Sequence, residues 1–331
     1  SVLSLGISTR RHMGRPQLST GSRMVRGHRS PYRLEGSRVS FAFLNADYRE
    51  ALREYRYDLE RVGNSVDLTR LSKNEQLAFW FNLHNVTLIQ QISVNYPTRR
   101  PSRLKIDGVL LDDAKLLNIK GVSLSLRDIR ERIVFANWSE KDVIYGFFRG
   151  DIGSPAMQDR AYTAKNVFAT LDRQGDEFVS SLRGFNETSR NREVSRLYEE
   201  VRPYYFQNWD ADLQNHLLRH ASVDMKAEVM SGKPFKIDRY DDVIADLMGG
   251  DRPRIATGNM IDANSGRVND FAIPEEVARL VQELQAKRQV LKSRGLWARG
   301  VVVIEDIETS NAPQYDPDID PNSSLYVPPN Q

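Results

Sequence analysis

The sequence predicts an α+β fold in which mixed helices surround a small sheet and an extended arm lies at each end. Three features support this: a long helical pattern rich in aromatic residues, short apolar runs bounded by turn residues, and terminal segments with too few aliphatic side chains to fold alone. The chain has 331 residues, of which 40% are hydrophobic, so it contains enough apolar surface for a substantial core.

The organising element is a helix that is predicted to begin at Ser72 and to end before Pro97. Ser72 and Glu75 have the spacing of a capping box, in which each side chain accepts a hydrogen bond from the backbone N–H of the other residue. Large apolar side chains then recur every three or four residues from Leu77 to Ile92. One face of the helix is therefore expected to pack in the core.

Three polar residues, Asn82, His84 and Asn85, lie among these aromatic side chains. A buried amide or imidazole costs about 1–3 kcal/mol unless it is hydrogen-bonded. We therefore expect Asn82 and Asn85 to form hydrogen bonds with the backbone of neighbouring loops. The alternative is that the three polar groups line a site.

The other elements follow from capping residues, turn pairs and short apolar runs. The first is a helix from Asn45 or Asp47 to about Gly63, with Tyr48, Leu52, Tyr55 and Leu59 on its packing face. The middle of the chain is predicted to form a hairpin turning at Asp107 and Gly108, a helix capped by Ser125 and Asp128, a buried strand over 143–147, and helices capped by Thr163 and Asp210. The last elements are a short helix over 238–249, a helix from Pro274 to near Gly295, and a strand over 300–304.

Composition excludes several classes of function. The chain has no cysteine, so it has no disulfides, no thiolate catalysis and no cysteine-ligated metal centre. Its mean hydropathy is -0.53, and none of its apolar runs approaches the roughly 18 residues of a membrane span.

Positive charge is concentrated near the N-terminus. Residues 1–40 contain eight arginines and one glutamate, which gives +7, whereas the whole chain carries +3. Such an arm suits an acidic protein groove, an anionic membrane surface or nucleic acid. It lacks both interleaved aromatic side chains for base stacking and the anchors of interfacial helices, so we favour a protein partner, including another copy of this chain. The arginines assigned to partner binding are Arg10, Arg11, Arg15, Arg23, Arg26 and Arg29.

Several ordered blocks of the sequence carry a resemblance to a known family. They lie at 74–85, 121–129, 150–155, 161–166 and 194–198, and include Asn-Leu-His-Asn and Ala-Tyr-Thr-Ala-Lys-Asn. Together they make residues 65–222 resemble the widespread family numbered 547 among the domains of unknown function. The resemblance implies a cysteine-protease-like or transglutaminase-like fold. Because most members are bacterial proteins made with secretion signals, it also implies a location outside the bacterial cytoplasm.

The chain departs from this family at positions that would carry thiol chemistry. The family commonly has cysteines where this chain has Arg149 and Ser154, and a histidine where it has Glu131. The nucleophile and the base that the resemblance would supply are therefore absent. Ser154 is an alternative nucleophile, and it needs a histidine such as His84 within hydrogen-bond reach.

Two further histidines have a spacing that a metal site could use. His216 and His220 are four residues apart and can share a helix face, as zinc-binding histidines do. No acidic residue lies between them, and the apolar spacing around them favours a position beside the core. We therefore predict neither a metal site nor a cofactor.

These features divide the chain into four segments: a basic arm at 1–40, the family-like α+β domain at 41–222, a helical and strand extension at 223–309 packed on it, and an acidic Pro-rich tail at 310–331. Because the sequence begins with Ser1, we expect that an upstream segment, either a targeting peptide or a tag, has been removed. An organellar location is the alternative to an extracytoplasmic one.

The sequence favours a non-catalytic structural or binding subunit of a larger assembly, because the thiol and imidazole positions are changed and the arms need a partner to order them. Asn82, Asn85 and Arg149 are the candidate pocket residues. The alternative is a hydrolase or acyltransferase that uses Ser154, or a polar site around Asn82, His84 and Asn85.

Overall fold

A computed structural model describes residues 4–7, 30, 32, 34–238, 240–251, 255–261 and 268–274, together with positions 280, 283, 284 and 293. All of these residues lie in one structural unit, Ser1–Trp297. Helices predominate among them and the strands are short, so the predicted α+β class is confirmed.

The elements have the following bounds. The helices are α1 (Ala46–Ser65), α2 (Lys73–Val94), α3 (Phe135–Asn137), α4 (Val167–Ser180), α5 (Arg196–Glu200), α6 (Arg202–Tyr205), α7 (Trp209–His220) and α8 (Val223–Val229). A π-helix, Asp128–Val134, leads into α3, and 3-10 helices occupy Phe41–Phe43, Leu68–Arg70, Pro101–Arg103 and Lys141–Gly146. The strands are β1 (Ser4–Ile7), β2 (Gly36–Val39), β3 (Lys105–Ile106), β4 (Val109–Leu110), β5 (Leu117–Ile119), β6 (Val122–Leu124), β7 (Phe185–Glu187), β8 (Arg192–Val194), β9 (Phe235–Ile237), β10 (Ile255–Ile261) and β11 (Val268–Pro274).

Helix α2 lies at the centre of the core. Its predicted capping box is confirmed, since Ser72 Oγ accepts from the N–H of Glu75 and the Glu75 carboxylate accepts from the N–H of Ser72 at 2.8 Å. The helix is buried on almost every side rather than on one face, because two hydrophobic clusters pack against it. Phe81 belongs to the larger cluster, and Leu88 and Ile92 belong to the smaller one.

Helix α1 packs against α2, and its predicted cap is confirmed because Asn45 accepts from the N–H of Tyr48 at 2.9 Å. The predicted packing face is only partly right. Tyr48 and Tyr55 are exposed, whereas Arg56 and Gly63 are the buried residues of the helix. No described helix is long and apolar enough to cross a membrane.

The strands form several small sheets instead of one. Strand β8 pairs antiparallel with β7 and parallel with β9, and the other strands form two-stranded antiparallel pairs. The hairpin predicted at Asp107 and Gly108 is confirmed: both residues have positive φ, 49° and 84°, as the tight turn between β3 and β4 requires. Ser125 and Asp128 form the second capping box, although the helix that follows begins with π-helical turns.

The strand predicted over 143–147 is wrong, because residues Lys141–Gly146 form a 3-10 helix. The run is fully buried, as its apolar residues require, but periodicity cannot distinguish a short buried strand from a short buried helix. A Cβ on Gly146 would lie 2.4 Å from the ring of Phe81, so the glycine permits this helix to pass directly against α2.

The helix predicted over 238–249 is also wrong. This part of the chain is extended: Ile244 forms a β-bridge with Asp151, and Asp246 forms one with Val39. Ile244 and Ala245 fill the smaller hydrophobic cluster, so tertiary packing overrides the local helical pattern.

Residues 34–40, which composition assigns to the basic arm, are buried. Arg38 is 1% exposed, and its guanidinium donates to the carbonyl groups of Tyr32, Glu35 and Ser37. The end of the predicted arm is therefore part of the core. The six candidate arm arginines lie outside the described residues, as do the strand predicted over 300–304, the tail at 310–331 and most of the helix predicted after Pro274.

Candidate ligand-binding site

A cavity of about 410 Å³ lies beside α2. Helix α2 supplies one wall, the segments around residues 112, 127–130 and 149–151 supply others, and α5 and Tyr240 complete it. The charged groups that line it are Asp112, Arg127, Arg130, Arg149, Asp151, Arg196, Glu199 and Glu200. Arginines and acids are equal in number among these, so the cavity is polar without a strong charge of one sign.

His84 is fully buried in the wall that α2 provides. Its Nε2 lies 3.1 Å from Nη1 of Arg130, and its Nδ1 lies 3.0 Å from Oδ1 of Asn85. Because a guanidinium can only donate, Nε2 is the acceptor and Nδ1 carries the proton that is donated to Asn85. Burial and the charge of Arg130 lower the pKa of His84 to about 3, so the imidazole is neutral at physiological pH.

Asn85 fixes this arrangement through the backbone. Its Nδ2 donates to the carbonyl of Gly146 at 2.9 Å, and its Oδ1 also accepts from the N–H of Phe148 at 3.2 Å. Asn82 forms a similar pair of hydrogen bonds with the N–H and carbonyl of Tyr162, at 2.9 and 2.8 Å. The prediction that both asparagines bind loop backbone is confirmed.

Arg130 is 1% exposed and forms two hydrogen bonds with the carboxylate of Asp112, at 2.7 and 2.6 Å. Burial by itself raises the pKa of Asp112, but the guanidinium of Arg130 outweighs it and holds the pKa well below its usual range. The pair is therefore ionised at neutral pH, and its fork-to-carboxylate geometry fixes Arg130 against His84.

Arg149 forms a second bidentate pair, with Glu200 of α5, at 3.1 and 2.9 Å. Burial by itself lowers the pKa of Arg149, but the charges of Glu200 and Asp112 outweigh burial and the pKa is raised above its usual value. The guanidinium therefore stays charged. Burial raises the pKa of Glu200, yet Arg149 outweighs it and the pKa lies below its usual value. This ion pair joins α5 to the segment that follows the 3-10 helix Lys141–Gly146.

Ser154 is 1% exposed and does not line the cavity. Its hydroxyl donates to the carbonyl of Asp151 at 2.8 Å and accepts from the N–H of Arg149 at 3.3 Å. No described histidine hydrogen-bonds to it. The hydroxyl therefore holds the turn that carries Arg149 and Asp151.

Asp151 is a buried carboxyl in the wall of the cavity, 3% exposed. The hydroxyl of Tyr240 donates to its Oδ1 at 2.6 Å. Burial raises the pKa of Asp151 to about 7, against the opposing effects of the Tyr240 hydrogen bond and the Arg149 charge. A carboxyl with this pKa exchanges a proton at physiological pH.

The first residues of α5 present two further charges, those of Arg196 and Glu199. Both residues are exposed, and within the described part of the chain neither takes part in an ion pair. They are the charged groups of the cavity that are free to contact another molecule.

The structure brings some of the predicted site residues together. His84 and Arg149 line the same cavity, and Asn85 positions His84 from behind it. Asn82 is held by a different loop, and Glu131 does not line the cavity; its carboxylate lies 3.5 Å from Arg127.

Sequence reasoning missed the main partners of these residues. Asp112, Arg130, Glu200 and Tyr240 reach the cavity from four different segments, and no local pattern marks them. The nearest signal was the capping box at Ser125 and Asp128, which begins the turn that carries Arg130.

Residues 68–179 match the family model described as Protein of unknown function, DUF547. This segment is a DUF547 domain. The match ends near the end of α4, so it is shorter than the predicted likeness over 65–222. No curated protein and no solved structure matches the chain, and the cysteine-protease-like or transglutaminase-like fold stays a prediction.

The DUF547 domain supplies only part of the cavity. His84, Asp112, Arg130, Arg149 and Asp151 lie within the matched segment. Helix α5 and Tyr240 come from the chain that follows it, so the cavity is closed by residues outside the DUF547 match.

Proposed function

We propose that this chain is a non-catalytic binding subunit of a larger assembly, and that its charged cavity receives a group from a protein partner. The observation that supports this proposal is that the reactive side chains are already held in hydrogen bonds within the protein. Both nitrogens of His84 are occupied by Arg130 and Asn85, and the hydroxyl of Ser154 is bonded to backbone. A serine nucleophile needs a base within hydrogen-bond reach, and neither residue offers that arrangement.

The free charges of α5 indicate the chemistry of the partner. Arg196 and Glu199 are three residues apart, exposed and without ion-pair partners in the described residues. A polypeptide that presents neighbouring acidic and basic side chains would complement both. The ion pair of Arg149 with Glu200 lines the same cavity.

The basic arm offers a second contact with the same partner. Its six arginines, from Arg10 to Arg29, suit an acidic protein groove, which includes the acidic tail of another copy. An anionic membrane surface is the other host for such an arm. We place the assembly outside the bacterial cytoplasm, on the strength of the family resemblance, with an organelle as the alternative.

One observation favours a second function, a hydrolase or acyltransferase. Asp151 lies in the cavity wall and its pKa is about 7, which suits a general acid or base. In that case Asp151 would transfer the proton, and His84 and Arg130 would bind the substrate.

Charge reversal at the cavity entrance tests the proposal. The full chain is purified from the cells that produce it, as the wild type, as Arg196→Glu and as the control Arg190→Glu. Arg190 is also exposed and has no ion pair among the described residues, but it lies outside the cavity lining. We expect the wild type and R190E to retain the same partner at physiological salt and R196E to lose it.

The proposal fails if R196E retains the partner as well as R190E does. It also fails if the purified wild type hydrolyses ester or amide substrates and Asp151→Asn abolishes that turnover, which is the result that the alternative function predicts.

A further inference from the structure

A second polar cluster lies apart from the charged cavity, around the C-terminal half of α7. His216 and His220 are 4% and 3% exposed, and both face Asp142 of the 3-10 helix Lys141–Gly146. Oδ1 of Asp142 lies 3.0 Å from Nε2 of His220 and 3.9 Å from Nδ1 of His216. One ligand atom from each residue lies within 4.8 Å of the others.

These distances match the spacing of metal ligands. Zinc binds imidazole nitrogen and carboxylate oxygen at about 2.0–2.2 Å in a tetrahedron, which places neighbouring ligand atoms about 3.3 Å apart. The two measured distances, 3.0 and 3.9 Å, lie on either side of that value.

The opposite side of each candidate ligand is held by another residue. Nδ1 of His220 lies 2.8 Å from a carboxylate oxygen of Asp176, and Nε2 of His216 lies 2.6 Å from the hydroxyl of Tyr145. Oδ2 of Asp142 lies 2.9 Å from Arg219, which leaves Oδ1 directed at the histidines. Metal-binding histidines characteristically donate their other N–H to such partners, which fix the ring and its tautomer.

The neighbouring helix is adapted to the ring of His220. Gly175 of α4 packs against this imidazole, and a Cβ at residue 175 would lie 2.5 Å from its Cε1 and 2.8 Å from its Nε2. Only glycine therefore allows α4 to approach closely enough for Asp176 to reach His220.

We propose that Asp142, His216 and His220 bind one Zn²⁺ ion, with a fourth position for water. Two imidazole nitrogens and one carboxylate oxygen are a donor set that zinc accepts. Two further carboxylates, those of Asp172 and Asp176, lie beside the cluster, and the nearby cations are Arg219 and Lys141. The ion would join α7 to the 3-10 helix Lys141–Gly146, and Asp176 of α4 would hold His220 from its other side.

The test uses the untagged 331-residue chain with His12→Gln and His28→Gln, so that His84, His216 and His220 are the only histidines left. The protein is stripped with a chelator and titrated with Zn²⁺, and with Co²⁺ as a spectroscopic probe. We expect one ion per chain, visible bands of low-symmetry Co²⁺, and a rise in melting temperature with Zn²⁺ concentration.

Three variants distinguish a specific metal site from adventitious binding of Zn²⁺. His216→Asn should abolish stoichiometric binding. If that variant does not fold, Asp176→Asn decides: it should weaken Zn²⁺ affinity about 10–100-fold, whereas Asp159→Asn, at an exposed residue outside the cluster, should not. Absence of stoichiometric Zn²⁺ uptake, or uptake that D176N leaves unchanged, overturns the proposal.

Discussion

Asn85 illustrates how a polar side chain on a core helix organises its surroundings. It accepts from the imidazole of His84 and the N–H of Phe148, and it donates to the carbonyl of Gly146. The asparagine thus fixes the ring of His84 and the backbone just before Arg149. One amide therefore positions both predicted site residues that line the cavity.

Replacing Asn85 should destabilise the fold. Asn85→Leu leaves the N–H of Phe148 and the carbonyl of Gly146 buried without partners, so we expect a loss of about 1–3 kcal/mol in the free energy of unfolding. Chemical denaturation measures it. Asn137→Leu is the control, since Asn137 is exposed and its side chain hydrogen-bonds, among the described residues, to the carbonyl of Ile133 alone. Equal stability of the two variants would contradict this account.

Asp151 should give the protein a distinctive dependence on pH. Its pKa is about 7 in the folded state, mainly through burial, and the ordinary value is 3.8. A carboxyl with a raised pKa takes up a proton on folding, so its stabilising effect is complete below about pH 4 and is lost as the pH rises to about 7.

The variant Asp151→Asn isolates this effect, because asparagine mimics the protonated carboxyl. We expect the melting temperature of D151N to rise relative to that of the wild type as the pH increases from about 4.5 to 7.5. The difference between the two curves cancels the other titrating groups. Parallel curves would show that Asp151 is not proton-linked to folding.

At the scale of elements, the beginning of α2 should contribute measurably to stability. Ser72→Ala removes the hydroxyl that accepts from the N–H of Glu75, and loss of such a cap costs about 0.5–2 kcal/mol. Ser123→Ala is the matched control, because Ser123 is exposed in β6 and its side chain has no hydrogen bond among the described contacts. A change in S72A no larger than that in S123A would argue against the capping box.

The elements that could be predicted from sequence are those specified by local chemistry. Reciprocal capping pairs at Ser72 and Ser125, and the turn at Asp107 and Gly108, require particular residues at fixed spacings. The segments 143–147 and 238–249 have no such signals. Their conformations depend on packing against α2 and β2, which are distant in sequence, and local patterns do not report that.

The site was less predictable than the fold for the same reason. His84 could be singled out because it lies among the aromatic side chains of a core helix, and Arg149 because it stands where the family resemblance places a cysteine. Their partners Asp112, Arg130 and Glu200 are ordinary charged residues in ordinary patterns, and only the tertiary fold places them together. The histidine pair of α7 was visible in the sequence, but its third neighbour, Asp142, was not.

At the scale of the whole molecule, the arm should act through its charge and not through its contribution to folding. Strand β1 pairs with β2, and residues 34–40 are buried, so deletion of residues 1–38 would remove part of the core. Substitution is therefore the sharper experiment. The six arm arginines, Arg10, Arg11, Arg15, Arg23, Arg26 and Arg29, are changed together to glutamine.

We expect the free energy of unfolding of this variant to lie within about 0.5 kcal/mol of that of the wild type, because the proposal assigns these arginines to a partner and not to the fold. We also expect the variant to lose the co-purifying partner at physiological salt. The control changes six exposed arginines of the folded domain to glutamine and removes the same charge: Arg61, Arg70, Arg132, Arg160, Arg173 and Arg190. If both variants lose the partner to the same extent, net charge rather than the arm is responsible, and if the arm variant retains the partner, the arm is not required for binding.

The central claim is that a protein partner occupies the charged cavity, and site-specific photo-crosslinking tests it most directly. A photoreactive amino acid is placed at Ser102, which is exposed and lines the cavity, or at Ser123, which is exposed but lies outside its lining. We predict that Ser102, in the native cells, crosslinks to the same protein that co-purifies with the wild type, and that Ser123 does not. No crosslink from Ser102 while the partner still co-purifies would contradict the claim.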